Sequence, residues 1–374
     1  MLRLEPLPMR EAQAFWRDKV KLSPGEFARL SDEAKTRAFA VSGIARGDEL
    51  DTVFTALQKA IDQGISFDRF KEECGDIFAR RGWTGKRQWR VDNIFRTNIQ
   101  TAYNVGHHRQ LVEDRDTFPY WQYSAINDSR TRPTHLAMDG RVWPAGHPVW
   151  NTWFPPNGFR CRCSVIGLTR DQVERRGLKV EDKDPTHRLI EPVSPVSGEK
   201  MPAMQLLPDP GFAHNPGRDY WGGMGRVMAD RLDAWPRRLS RRMLHDMVTG
   251  PGFAMWMRDP AGTFPVGMLS EADAGSIGAK TRTVVLSSET ARKQLTTHHE
   301  LQPDEYRFVQ VALEKGEVVR DGKKTLIYIL EDEQYVSVVK ATRSGQGVFL
   351  ASFRRLSSRQ WKRRREIDRL RRKK

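Results

Sequence analysis

Cys161 and Cys163, one residue apart, close a segment that also contains His135 and His147. Thiolate and imidazole are the soft donors that a structural zinc gathers into a tetrahedron. His135, Cys161 and Cys163 are therefore candidate metal ligands, with His147, Asp128 or Asp139 available as a fourth. The pattern is C-x-C rather than the usual C-x-x-C knuckle, and the third cysteine, Cys74, stands alone far upstream. Two other chemistries compete. Both thiols can pack as small hydrophobes beside the nearby tryptophans, leaving Asp128, Arg130 and Arg132 to tie the loops by charge-assisted hydrogen bonds. Alternatively, neighbouring arginines lower a thiol pKa and make a Cys–His nucleophile, although no third orienting group is placed beside the pair.

A second set of chemistry-bearing residues lies far downstream. Metal-free RNA cleavage needs a base for the ribose hydroxyl, an acid for the leaving oxygen and donors for the charged phosphorane. His299, or its neighbour His298, could supply acid or base. Lys340 and Arg354 could hold the phosphate, with Thr342 and Ser352 donating hydrogen bonds. The plainer reading is a basic face that binds DNA or protein, with histidines at a helix end. Within residues 275–356 no D-x-D or H-x-x-E-H arrangement suggests a metal nuclease.

The elements that must position these groups follow from local patterns. Residues 1–117 read as helices. Ser23-Pro24-Gly25-Glu26 is a capping box with proline at the first helical position. Leu50, Val53, Phe54, Leu57 and Ile61 have helical spacing, Gly64 ends that helix, and Ser66 caps another. A fourth helix spans roughly Lys86 to Asp114. Periodicity then disappears. Residues 118–178 crowd Trp121, Trp143, Trp150 and Trp153 among prolines and glycines, with short strands expected at Tyr120–Ser124 and Cys163–Ile166. Residues 179–274 read as a Pro-rich linker followed by one helical stretch, Trp221–Val248, closed by Pro251-Gly252.

Residues 275–356 form a small α+β domain. A strand at Thr283–Leu286 and helices at Ser288–Leu295 and Pro303–Glu314 precede strands at Thr325–Leu330, Tyr335–Thr342 and Val348–Arg354. A hairpin centred on Gly345 places Lys340 opposite Leu350 and Val338 opposite Ser352. Alternation then assigns Tyr335, Val339, Ala341, Phe349, Ala351 and Phe353 to the core face. Residues 357–374 make a basic tail.

The 374 residues exceed one ordinary core. A formal net charge of +16 calls for a polyanionic neighbour, and part of the excess lies in Arg359–Lys374, which attracts phosphate without reading sequence. No apolar run reaches the roughly eighteen residues of a membrane span, and no secretory signal opens the chain. Three cysteines make no disulfide framework, so folding in a reducing cytoplasm fits best.

Four ordered elements carry a family resemblance. They are Phe95–Tyr103, then Asp128-Ser-Arg-Thr-Arg-Pro-Thr-His135, then Pro155-Pro156-Asn157-Gly158-Phe159-Arg160-Cys161-Arg162-Cys163, then Pro210-Gly211-Phe212 with Asn215-Pro216-Gly217. Together they resemble the phage Mu F-like minor head proteins, relatives of the SPP1-type head morphogenesis family. The resemblance implies a low-copy component of the phage head interior, assembled in the host cytoplasm. Its implied partners are portal protein, major capsid protein or scaffold, with packaged DNA met by the basic tail. It implies no enzyme in this region. The downstream domain more loosely resembles the barnase/EndoU/colicin/RelE-like nuclease modules, through Val284–Ser287, His298–Leu301, Tyr335–Thr342 and Leu350–Arg354. The implied substrate there is RNA. The expected fold is multidomain: a mainly α N-terminal half with an irregular Trp/Pro-rich Cys-His unit, then a small α+β domain with an antiparallel sheet.

Overall fold

A computed structural model describes residues 9–372 except 31–34, 37, 195 and 299. The chain divides into two compact units, Met1–Tyr220 and Trp221–Lys374.

The first unit opens with helices α1 (Arg10–Arg17), α2 (Pro24–Ala28), α3 (Gly47–Gln63), α4 (Phe67–Glu73), α5 (Gly75–Arg80) and α6 (Trp89–Glu113). Their ends follow local chemistry. Ser23 accepts from the Glu26 amide while Glu26 reaches back to Ser23, completing the capping box. Gly64 ends α3 at φ 68°, a left-handed conformation that favours glycine. Leu50, Val53, Phe54 and Leu57 of α3 pack on Phe70, Ile77, Phe78 and Val91. A short parallel pair, β1 (Val20–Lys21) with β2 (Ala38–Phe39), lies between α1 and α3 in sequence.

The Trp/Pro-rich region is a three-stranded antiparallel sheet. Strand β3 (Tyr120–Ser124) lies between β4 (Val142–Pro144) and β5 (Ser164–Leu168). Helix α7 (Pro133–Leu136) lies in the connection from β3 to β4, and α8 (Arg170–Arg175) follows β5. Trp121, Trp143, Trp150 and Trp153 are all fully buried. At about 150–250 Å² each and roughly 25 cal/mol per Å², they form the main hydrophobic anchor of this otherwise irregular segment. A two-residue pair, β6 (Leu189–Ile190) with β7 (Met204–Gln205), follows.

Helix α9 (Pro216–Ala234) contains the boundary between units. The expected single helix to Val248 is broken at Trp235-Pro236, and α10 runs Arg237–Thr249. Pro251 does not end the helical region but opens α11 (Pro251–Arg258), because the missing proline N–H is one that a first helical turn leaves unbonded anyway. A six-stranded sheet then assembles in the order β10-β11-β12-β13-β9-β8. Its strands are β8 (Thr263–Met268), β9 (Thr283–Ser287), β10 (Glu317–Arg320), β11 (Thr325–Leu330), β12 (Tyr335–Ala341) and β13 (Val348–Arg355). Helices α12 (Glu271–Ser276), α13 (Ser288–Thr297) and α14 (Arg307–Lys315) intervene, and α15 (Gln360–Arg371) ends the unit.

The expected antiparallel sheet is instead mixed, since β13 pairs parallel with β9. The antiparallel β10–β13 meander returns its last strand alongside β9 in the same direction. The folded unit also begins well before residue 275, because β8 is its edge strand. Residues beyond 356 do not hang free: Ile367 and Leu370 of α15 pack with Val319, Ile327, Ile329, Val336 and Leu356 on one sheet face.

The hairpin register changes at a bulge. Val338 faces Ser352 as expected, but Val339 faces Leu350 and Lys340 faces Phe349. Ala351 is the extra residue, so alternation along β13 changes phase there. Val348 and Leu350 therefore enter the core with Phe353, while Ala351 is exposed and Phe349 only half-buried, which corrects their assignment to the core face.

Candidate metal centre

His135 comes from the single turn of α7, which Pro133 opens, and the two cysteines come from the loop entering β5. Position and burial bring them together. His135 Nδ1 lies 3.5 Å from Cys163 Sγ and 3.8 Å from Cys161 Sγ, all three residues are buried, and their ligating atoms lie within 4.8 Å of one another.

The other ring nitrogen of His135, Nε2, lies 3.2 Å from the Asn157 carbonyl. A carbonyl only accepts, so Nε2 carries the proton and Nδ1 presents a lone pair to both sulfurs. One lone pair accepts one S–H at a time. The thiols also act on each other. A hydrogen bond from the Cys163 thiol holds the Cys161 thiol well below its ordinary range. The same bond, together with burial, pushes Cys163 up. Two sulfurs and an imidazole nitrogen thus lie close enough together to share one proton or one metal ion.

None of the three expected fourth ligands reaches this point. His147 accepts from the Val149 amide and its Nε2 faces the Asp182 carbonyl. Asp128 accepts both Arg162 nitrogens, at 2.6 and 2.8 Å, and Arg130 as well, and the Arg162 bond holds its carboxyl below the usual carboxylate range. Asp139 accepts from the Ala125 amide and from Asn127. Each is consumed by loop-tying, the role that charge-assisted bonds were expected to play in this segment.

The group the sequence did not signal is Tyr123 on β3. It is fully buried, its hydroxyl lies beside Cys163, and burial together with both cysteines pushes its pKa well up. That hydroxyl donates to Asn157 Oδ1 at 3.0 Å, and Asn157 Nδ2 donates to the Thr152 carbonyl at 3.2 Å. A tyrosine in a tryptophan-rich strand has the signature of an ordinary core residue, so only the fold reveals it.

The remaining motif positions support the same place. Arg132 bridges Asp209 and the Phe159 carbonyl. A Cβ on Gly158 would meet Asp209 Oδ2 at 2.4 Å, so a larger residue there would have to displace the Arg132–Asp209 pair. Buried Asn215 accepts from the Gly217 and Arg218 amides and donates to the Trp150 carbonyl at 2.9 Å. Helix α6 is fastened to β5 by Gln100 on the Cys163 carbonyl and by His107 on the Val165 carbonyl.

The downstream set is assembled only in part. Lys340, Ser352 and Arg354 share one sheet face through their pairings with Phe349, Val338 and Val336. Lys340 is exposed there, but Arg354 is ion-paired to Glu366 of α15, the helix packed on that face. Thr342 sits in the hairpin turn, where its hydroxyl accepts from the Gly347 amide. His298 pairs with Glu300 at 3.5 Å, and His299 lies outside the described residues.

Comparison with known proteins follows the upstream constellation. Residues 51–166 match the family described as Phage Mu protein F like protein. The chain is 36% identical over 165 residues to the Mu-like prophage FluMu F protein of Haemophilus influenzae, covering 41% of this chain and 40% of that protein. It is 26% identical over 294 residues to "Putative capsid assembly protein F" of Escherichia phage Mu, covering 70% of this chain and 67% of that one. No solved structure matches. The matched stretch contains α6, His135 and both cysteines, so the likeness to the Mu F-like family runs through the candidate site.

Proposed function

We propose that this chain works in phage head assembly, as a minor component inside the head close to the portal, and that zinc bound by His135, Cys161 and Cys163 clasps its Mu F-like region. One observation carries the reading. Within the stretch shared with the family, the charged and ligating motif residues are turned inward on one another, leaving the Cys–His group enclosed. Such a constellation holds a shape for a partner to recognise. The relative from phage Mu, named "Putative capsid assembly protein F", lends the assembly role.

Two thiolates and a neutral imidazole around Zn²⁺ make an uncharged buried centre, which avoids the cost of burying isolated charge. The Asn157 carbonyl acts as the outer group that orients the histidine. Tyr123, whose hydroxyl lies beside Cys163 and donates to Asn157, would brace the centre from outside the ligand set. Packaged DNA would meet the exposed side of α15, where Trp361 is 56% exposed and carries Lys362 and Arg365 over its ring.

Heads assembled with this chain should contain a few copies each by quantitative mass spectrometry, and the purified chain should carry about one zinc. Cys163→Ser should abolish the zinc and reduce the yield of filled heads. Absence of the chain from purified heads would refute the assembly role, and a metal-free wild-type chain would refute the clasp. A ribonuclease role for the sheet face finds less support, since α15 engages Arg354. RNA cleavage by the wild-type chain that Lys340→Ala abolishes would reverse that preference.

A further inference from the structure

Helix α10 carries Arg238, Arg241, Arg242 and His245, spaced i, i+3, i+4 and i+7, so they share one helical face. The flank of that face is fixed in the core by Ser240, Leu244 and Val248. Together with Arg307 of α14, that basic face borders a cavity of about 560 Å³ whose apolar lining includes Leu244, Val248, Val266 and Val311. The volume lies within the range of about 300–1,000 Å³ usual for ligand sites. The site belongs wholly to the second unit.

Charge around the cavity is poorly balanced. Glu314 is the one carboxylate among the lining residues, and it is taken by Arg241 and Gln310. Arg242 and Arg307 pair only with exposed near neighbours on their own segments, Asp246 at 3.3 Å and Asp304 at 3.2 Å. Exposed pairs of this kind are worth about 0–1 kcal/mol and are readily exchanged for a better anion. Arg238 is exposed and has no carboxylate partner among the described residues. Four guanidiniums thus border the cavity against three carboxylates, Glu314, Asp246 and Asp304, two of which are held only by exposed pairs.

We infer that this groove binds single-stranded nucleic acid, with phosphates held by Arg238, Arg242 and Arg307 and a base resting on the apolar floor. Guanidiniums match phosphate geometry in a fork of N–H donors. Single-strand grooves elsewhere stack bases on aromatic rings; here the base would meet aliphatic surface instead, at half-buried Val311 and the arginine stems. A base inside a duplex is not free to enter, so the occupant is single-stranded. DNA and RNA share this chemistry, and the inference does not depend on the head-assembly reading.

The test uses the full chain with fluorescent oligothymidylate, oligouridylate, duplex DNA and polyglutamate, each titrated over a range of salt. Single strands should bind, with a salt slope that falls by about 1.4 in Arg238→Glu/Arg242→Glu, since each lost single-strand phosphate contact contributes about 0.7. Affinity should drop at least tenfold in that variant. Arg238→Gln/Arg242→Gln should produce a smaller loss, and near-native circular dichroism would show that both variants fold. Charge reversal of Arg175 and Arg176, exposed at the end of α8, should leave single-strand binding within about twofold. Unchanged affinity and slope in the groove variants would overturn the inference. Equal binding of polyglutamate would overturn it in favour of an acidic protein segment, and a groove-dependent preference for duplex would remove the base from the floor. Thymidylate against uridylate decides which nucleic acid the groove favours.

Discussion

The bond from Tyr123 to Asn157 is the most informative place to perturb the clasp without touching a sulfur or an imidazole. Tyr123→Phe removes the hydroxyl that donates to Asn157 Oδ1 at 3.0 Å, and both residues are fully buried. The amide oxygen left behind has no water to turn to, so the cost should be about 1–3 kcal/mol. Asn157→Ala removes that acceptor and also the donor to the Thr152 carbonyl. Two buried groups lose their partners, which should cost about 2–5 kcal/mol. In the double variant the hydroxyl and its acceptor are absent together, so the penalty for stranding either vanishes. The double variant should therefore be about 1–2 kcal/mol less destabilised than the sum of the singles. Urea unfolding of the full chain followed by tryptophan fluorescence measures this, because Trp121, Trp143, Trp150 and Trp153 are buried around the site. The Asn157 backbone survives both changes, so the carbonyl that orients His135 is retained. A Tyr123→Phe effect within about 0.5 kcal/mol, with no coupling in the cycle, would refute the claim that this bond organises the clasp.

Gly217→Ala should cost about 1–3 kcal/mol in the same transition, because its new Cβ would meet the ring of buried His108 at 2.5 Å. Glu317 has its pKa lowered from 4.5 by the Arg371 guanidinium that joins α15 to β10. The stabilisation it gives is fully present above the ordinary carboxylate value and is lost as pH falls through the lowered one. Hydrogen exchange of Gln360–Arg371 should accelerate in that acidic window, and Glu317→Gln should bring the acceleration to neutral pH. On the same helix, Arg364→Glu/Arg365→Glu should weaken duplex DNA binding and lower its salt slope while exchange stays slow. Ile367→Asp should instead release the helix, because it places a charge in the cluster of Val319, Ile329 and Leu370.

What the sequence made legible was local, or was written in uncommon residue types. Ser23 and Ser66 cap the helices they were expected to cap, because capping depends on a side chain and an amide three residues away. The Cys–His group was also legible, since His135, Cys161 and Cys163 are rare residues in a short, distinctive order. Tyr123 was not, because its role depends on a loop more than thirty residues downstream folding over it. The bulge at Ala351 was illegible for a similar reason: alternation predicts the face of every strand residue only until one is skipped. Proline was read as a stop at 251, although the same ring starts α11 once its place in the turn is known.

The basic C-terminus shows how docking changes what a charged run can do. On a flexible tail, every lysine and arginine would meet phosphate alike. As α15, the segment commits Ile367 and Leu370 to the sheet, and Glu366 and Arg371 to Arg354 and Glu317. Only two apolar residues three apart direct this, in a helix otherwise almost wholly charged, so composition alone reads as a solvated tail. Once the inner face is spent, Lys362, Arg364, Arg365 and Arg369 remain exposed on a fixed element beside Trp361. Fixed cations lose less freedom when they meet phosphate than those of a free tail. The docked helix thus offers fewer charges than the sequence counts, and each is better prepared to bind.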